Sequence, residues 1–123
     1  PIEARDVIGR PNDQGKPALA MLEKEGFRNN GQVDIFDGAP SVDAHIDELK
    51  TIKDSHKARV SGTVAAMALQ GEPEYLVCAG DIESYRVCIS GLMIETDGSV
   101  RLPQTALDAL NIGIPDLIRY CAS

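Results

Sequence analysis

Two aspartates, Asp34 and Asp37, stand three residues apart in the run Val33-Asp34-Ile35-Phe36-Asp37-Gly38. Ionised carboxylates accept charge-assisted hydrogen bonds, so the pair suits a guanidinium or an amine on a cationic substrate. The plainer reading is a capped, solvated turn in which Asp37-Gly38 simply makes the bend. Lys53, Ser55 and Arg86 offer the complementary chemistry, two cations and a hydroxyl able to pair with a carboxylate. Against that stands an ordinary surface or strand-facing role, since exposed ion pairs contribute little.

Other chemistries are weaker. The three cysteines, Cys78, Cys88 and Cys121, have no zinc-ligand spacing and lie among apolar residues. An odd count without a disulfide framework points to reduced, buried thiols and a cytosolic setting, and no metal site is predicted. The eleven glycines are scattered, with no GxGxxG-type cluster to hold a phosphate at a helix N-terminus. Twelve basic against nineteen acidic residues give a net charge of −7, which repels phosphate backbones and disfavours nucleic acid. Aromatic residues are 4% and tryptophan is missing, so stacking platforms for single strands are not expected. No apolar run is long enough to cross a membrane and no signal peptide is read.

The elements that must position these groups can be read in order. A helix-like run covers Glu3–Val7, and Gly9 and Pro11 end it. Gly9 to Gly15 (GRPNDQG) is rich in turn formers and reads as a loop. Pro17 suits the first turn of a helix, Ala18, Leu19, Met21 and Leu22 give it an apolar stripe, and Gly26 stops it. Gln32–Phe36 reads as a strand and Asp37 to Pro40 as a turn. Val42–Ile52 alternates as a strand does but also fits helical spacing; the strand is preferred, breaking near Asp47, with another over Thr51–Val60. Tyr75–Cys78 and Tyr85–Ser90 are strands around a loop, Asp97-Gly98 is a turn, a short helix runs from Pro103 to Leu110, and Leu117–Cys121 is a last strand. At 123 residues the chain fits one domain.

The segment Ala18 to Phe27 (ALAMLEKEGF) resembles the last conserved motif of the GNAT superfamily of acyl-CoA N-acyltransferases. Glu23 to Arg28, the VDIFDG stretch and Pro40-Ser41 resemble arginine N-succinyltransferase more closely. The likeness continues through Ile52-Lys53-Asp54-Ser55, Leu76-Val77, Tyr85-Arg86-Val87, Leu107 to Leu110 and Cys121-Ala122, and begins upstream at Pro1, Ala4-Arg5 and Val7-Ile8-Gly9. VDIFDG is its most specific part.

That resemblance implies an α+β fold: the C-terminal helix–strand piece of a GNAT-like acyltransferase, followed by a mainly antiparallel β-sheet or a small barrel. Residues 1–123 would be one C-terminal domain, with 1–40 ending the acyltransferase core and 41–123 forming a mainly β extension. The implied reaction moves a succinyl group from succinyl-CoA to the α-amine of arginine, some members accepting ornithine and some being built from two related subunits. Succinyl-CoA would be a co-substrate, with no tightly bound cofactor. The helix would lie beside the pantetheine arm of coenzyme A, making Gly15, Pro17, Ala18 and Met21 its CoA-side residues. Asp34 and Asp37 would meet arginine, and Lys53, Ser55 and Arg86 the succinyl carboxylate.

The sequence also departs from the family. The family's histidine, thought to donate a proton, falls on Asn12, and an amide cannot exchange a proton near neutral pH. The family's asparagine in the Leu76-Val77 strand is Ala79, and its arginine after the isoleucine is Lys53, which keeps the charge without the bidentate fork. Of the two histidines, His45 lies elsewhere. His56 follows Lys53-Asp54-Ser55 and could approach a site, the plainer reading being an exposed side chain. Without a pyrophosphate loop, the chain alone is expected to be inactive. It would act with an N-terminal acyltransferase portion or related subunit, in a cytoplasmic oligomer. The alternative is a non-catalytic regulatory or stabilising module.

Overall fold

The computed structural model describes residues 2–123, with the backbone alone for Ile2 and Ala4. Pro1, where the resemblance begins, lies outside the described residues. The chain forms two compact units that divide between Lys53 and Asp54.

The first unit opens with a single helical turn, α1 (Ile2–Arg5), shorter than the Glu3–Val7 run expected. Gly9, at φ 75°, then turns the chain in a conformation that other residues rarely adopt. Helix α2 spans Lys16–Glu25, with Pro17 in its first turn where the missing N–H has no partner to lose. It stops at Gly26, φ 115°, whose N–H donates to the carbonyls of Leu22 and Glu23, while the Phe27 N–H donates to Leu22 at 3.0 Å. That pattern caps the helix C-terminus. The predicted apolar stripe is not buried as a whole: Leu19 and Phe27 are half-buried, whereas Met21 is 72% exposed.

Strand β1 (Arg28–Val33) pairs antiparallel with β2 (Pro40–Asp43), Arg28 opposite Asp43 and Val33 opposite Pro40. The strand expected over Gln32–Phe36 ends at Val33. The Asp34 carboxylate takes the N–H groups of Phe36 (2.7 Å) and Asp37 (3.3 Å), a local bond that competes with the ladder. Beyond Asp43 the preferred strand reading also fails. A 3-10 turn (Ile46–Glu48) and a short helix α3 (Lys50–Lys53) take its place. Their geometry is held from a distance, because the Glu25 carboxylate accepts the Thr51 N–H at 2.8 Å.

The second unit contains β3 (His56–Thr63), a 3-10 turn (Ala66–Leu69), β4 (Glu74–Ala79), β5 (Arg86–Gly91), β6 (Met93–Ile94), β7 (Val100–Leu102), α4 (Gln104–Leu110) and β8 (Leu117–Ala122). The strands make one sheet in the order β5-β4-β8-β3-β7-β6. All neighbours are antiparallel except β3 and β7, which are parallel. Both ends of the ladder stay open, so the sheet expected from the sequence is present and the small-barrel alternative is not.

The core lies in this unit. Val60, Val100 and Leu102 (0% exposed) meet Leu107 and Leu110 of α4 and Val77, Ile118 and Tyr120 of the central strands. Tyr120 also stacks edge-on with Tyr75, centroids 5.5 Å apart, and lies 5.4 Å from the His56 ring. Helix α4 ends at Asn111 (φ 54°), whose N–H closes onto the Leu107 and Asp108 carbonyls. Thus α4 covers one face of the sheet, supplied by alternate residues of each strand.

Candidate functional site

A cleft of about 640 Å³ opens within the first unit, between the loop after α1, the N-terminal half of α2 and the β1–β2 hairpin. Its walls include Val7, Arg10, Asn12, Gly15, Ala18, Leu19, Leu22, Asp37, Gly38 and Val42. The loop is tied to the hairpin by the Gly9 N–H, which donates to the Gly38 carbonyl at 2.8 Å. Both glycines have positive φ, and a Cβ on Gly9 would stand 3.1 Å from Val33 Cγ1.

Asn12 forms the floor of the turn into α2. Its Oδ1 accepts the Gly15 N–H at 2.7 Å, and its backbone carbonyl accepts Gly15 at 3.0 Å and Lys16 at 3.2 Å. The side-chain oxygen thus spends one of its two lone pairs on the turn, while the amide N–H groups make no hydrogen bond among the described residues. Lys16 is held by Asp13 in an exposed ion pair of 2.6 Å.

The two aspartates part company. Asp34 is tied into the hairpin turn by its carboxylate and also by its backbone, which exchanges 2.9 Å hydrogen bonds with Ala39 and Gly38. It does not line the cleft. Asp37 does line it; one of its carboxylate oxygens accepts the Ala39 N–H at 2.8 Å, leaving the other to meet a cation. Of the CoA-side residues, Gly15 and Ala18 line the cleft, Pro17 sets the start of α2 and Met21 points into solvent.

The three carboxylate-binding candidates are not gathered at this cleft. Lys53 ends α3 and is exposed. Ser55 is half-buried and its hydroxyl accepts a hydrogen bond from the Arg119 guanidinium. Arg86 begins the edge strand β5 opposite Ala79. Sequence reasoning missed Arg10, a cation in the wall that makes no ion pair among the described residues. Its place between Gly9 and Pro11 in a turn was the available signal. A smaller cleft of about 330 Å³ is lined by Gly26, Arg28, Asp43, Ala44, His45 and Glu48. Among the described residues no group of three or more His, Cys, Asp or Glu side chains is placed to hold a metal.

The family model described as arginine N-succinyltransferase beta subunit matches residues 1–51, and the model for the C-terminal domain of that beta subunit matches residues 56–122. The chain belongs to the arginine N-succinyltransferase family. Arginine N-succinyltransferase of Escherichia fergusonii is 40% identical over 127 residues, covering 98% of this chain and 35% of that protein. Its counterpart in Escherichia coli is 39% identical with the same coverage. In shape the chain is similar to arginine/ornithine succinyltransferase subunit AI from Pseudomonas aeruginosa, with a TM-score of 0.74, 25% identity, 99% of this chain and 36% of that one. The chain thus spans about a third of the length of the relatives it matches. Arginine N-succinyltransferases are acyltransferases, and the two family models abut close to the division between the two compact units. No helix among the described residues is long and apolar enough to cross a membrane.

Proposed function

We propose that this chain is the C-terminal part of an arginine N-succinyltransferase and that its cleft supplies one wall of the acyl-transfer site. The observation that carries the reading is the meeting of Asn12, Gly15, Ala18 and Asp37 around one cavity, in a chain 40% identical to a named succinyltransferase over nearly all its length. In the proposed reaction the neutral α-amine of arginine attacks the thioester carbonyl carbon of succinyl-CoA. A C–N bond forms, the C–S bond breaks, the nitrogen loses a proton and the leaving thiolate gains one. Such a step depends above all on positioning and on polarising the carbonyl.

The residues would share this work as follows. Ala18, small and facing the cavity, leaves room for the pantetheine arm along α2, with Gly15, Pro17 and Met21 belonging to the same helix face and start. The free oxygen of Asp37 receives the cationic end of arginine, with Asp34 shaping the turn that presents it. Asn12 orients through its amide N–H groups and moves no proton. Lys53, Ser55 and Arg86 do not line this cleft, and binding of the succinyl carboxylate is assigned to none of them. Succinyl-CoA serves as co-substrate, and the remaining portion of the enzyme, or a related subunit, supplies the rest of the site in a cytoplasmic oligomer. In this reading residues 1–40 end the acyltransferase core and 41–123 form its β extension.

One observation favours the second reading, a stabilising module without catalysis: the Asn12 oxygen is already used by the Gly15 N–H. Reconstitution separates the two. The chain is co-expressed with the portion of the E. fergusonii relative that it does not match, and thiol release from succinyl-CoA is followed with and without arginine. Arginine-dependent release by the pair, and none by the chain alone, is expected. A stable pair without release would favour the module.

A further inference from the structure

The sheet of the second unit hides one face beneath α4 and leaves the other bare. A solvated face of an antiparallel sheet ordinarily carries polar side chains at alternate positions. Here those positions hold Leu76, Val87, Ile89 and Leu117, exposed by 39%, 47%, 62% and 59%. The strand registers gather them into one patch: Leu76 lies opposite both Ile89 and Cys121, and Cys78 opposite Val87 and Arg119. Tyr85, which directly precedes β5, is also exposed, and its nearness to the Cys78 thiol raises its pKa.

The same face carries a second anomaly. Lys57 on β3 stands directly opposite Arg119 on β8, and Arg59 stands opposite Leu117. Like charges directly opposite in a sheet destabilise it. None of the three has a carboxylate partner among the described residues: Arg119 donates to Ser55, and Arg59 to the Pro115 carbonyl at 2.9 Å. The acid at outward positions of β4 is Glu74, four residues before Cys78. Bare apolar side chains beside uncompensated cations mark a surface that something else covers.

Charge decides what that is. Two copies meeting through this face would bring Lys57, Arg59 and Arg119 together with their equals, which disfavours self-association. An apolar surface fringed by carboxylates complements it. The relatives contain nearly twice as much further chain as the matched region, since this chain covers 35% of their length. We propose that the outer face of this sheet, centred on Leu76, Ile89 and Arg119, docks an acid-fringed apolar surface of that remaining portion. This rests on the proposed reading of the chain as one part of a longer succinyltransferase.

The test uses the whole chain co-expressed with the unmatched portion of the E. fergusonii relative. Sedimentation velocity measures association for the native chain, for Ile89→Asp and for Lys57→Glu/Arg119→Glu. Circular dichroism and melting of each variant alone verify folding, and peptide mass spectrometry after alkylation reads the Cys78 and Cys121 thiols. The expected result is a complex that salt weakens and that each variant weakens by about tenfold or more. Both thiols should be reactive in the free chain and protected in the complex. Association within about twofold of native in both folded variants, with both thiols still reactive, overturns the proposal. If that pair still releases thiol with arginine, the enzymatic reading survives alone; no complex and no release sinks both. Dimerisation of the chain by itself, lost in Ile89→Asp, would assign the face to a second copy and also overturn the proposal.

Discussion

Asn12 Oδ1 accepts the Gly15 N–H at 2.7 Å and so closes the turn that launches α2. Asn12, which the sequence resemblance sets at the family's proton-donor position, makes a structural bond beside the cleft that it lines. Asn12→Ala should therefore lower stability by about 1 kcal/mol, the net worth of one ordinary hydrogen bond. Urea denaturation followed by far-ultraviolet dichroism measures it; an unchanged midpoint would mean that the backbone bonds alone hold the turn.

Asn12→His tests the chemistry in the reconstituted assembly. A histidine donating a proton to the leaving thiolate should raise turnover. It should also make turnover fall as pH rises past about 6.5, since only the protonated ring donates. A flat profile would show that solvent or another group protonates the sulfur.

Asp34 and Asp37 should separate cleanly. Asp37→Asn, in the same assembly, should raise KM for arginine and leave KM for succinyl-CoA nearly unchanged. Asp34→Ala should instead lower stability by about 0.5–1.5 kcal/mol, because it removes the hydrogen bonds that the Phe36 and Asp37 N–H groups make to its carboxylate in this exposed turn. Steady-state kinetics and denaturation on both variants decide it. Equal effects on KM would place both carboxylates at the substrate.

Gly26 joins α2 to the rest of its unit under two constraints at once. Its φ is 115°, and a Cβ would come within 2.9 Å of the Glu48 carbonyl oxygen. Gly26→Ala should cost about 1–3 kcal/mol. By contrast Gly98→Ala, with φ 83° and open space around it, should cost no more than about 1–2 kcal/mol, the left-handed backbone penalty alone. Matched denaturation curves make the comparison.

Leu110 is 2% exposed and Leu22 is 40% exposed. Leu110→Ala should destabilise by about 2–5 kcal/mol. Leu22→Ala should destabilise the isolated chain by less, although its place in the apolar stripe of α2 alone would suggest a full core penalty.

Asp97 accepts hydrogen bonds from the Ser99 hydroxyl and N–H, which hold its carboxyl below the ordinary range. A depressed folded-state pKa stabilises above the unfolded value, and the contribution is lost as pH falls through the folded one. Ser99→Ala should move the Asp97 titration, read by carboxyl-carbon NMR, upward toward about 3.9. No movement would mean that the N–H bond alone sets it.

Local rules were enough for much of this protein. Pro17 and Gly26 bound α2 because a helix start tolerates a missing N–H and a helix end accepts a left-handed glycine. The Asp97-Gly98 turn, strands β4, β5 and β8, and helix α4 were legible from their spacing, and VDIFDG carried the family. What the sequence could not show depended on partners distant along the chain. Helical residues replace the strand expected after Asp43 where Glu25 captures the Thr51 N–H, 26 positions away. The parallel pairing of β3 with β7 and the open ladder follow from which edges meet, and an alternating strand pattern looks the same in either case. Asp37 faces the cleft and Asp34 does not because a turn of fixed geometry sends neighbouring carboxylates different ways. Lys57 opposite Arg119 was invisible for the same reason: a charge becomes unfavourable only once register places another beside it, and register is settled by the burial of a whole sheet face, not by the residues that bear the charge.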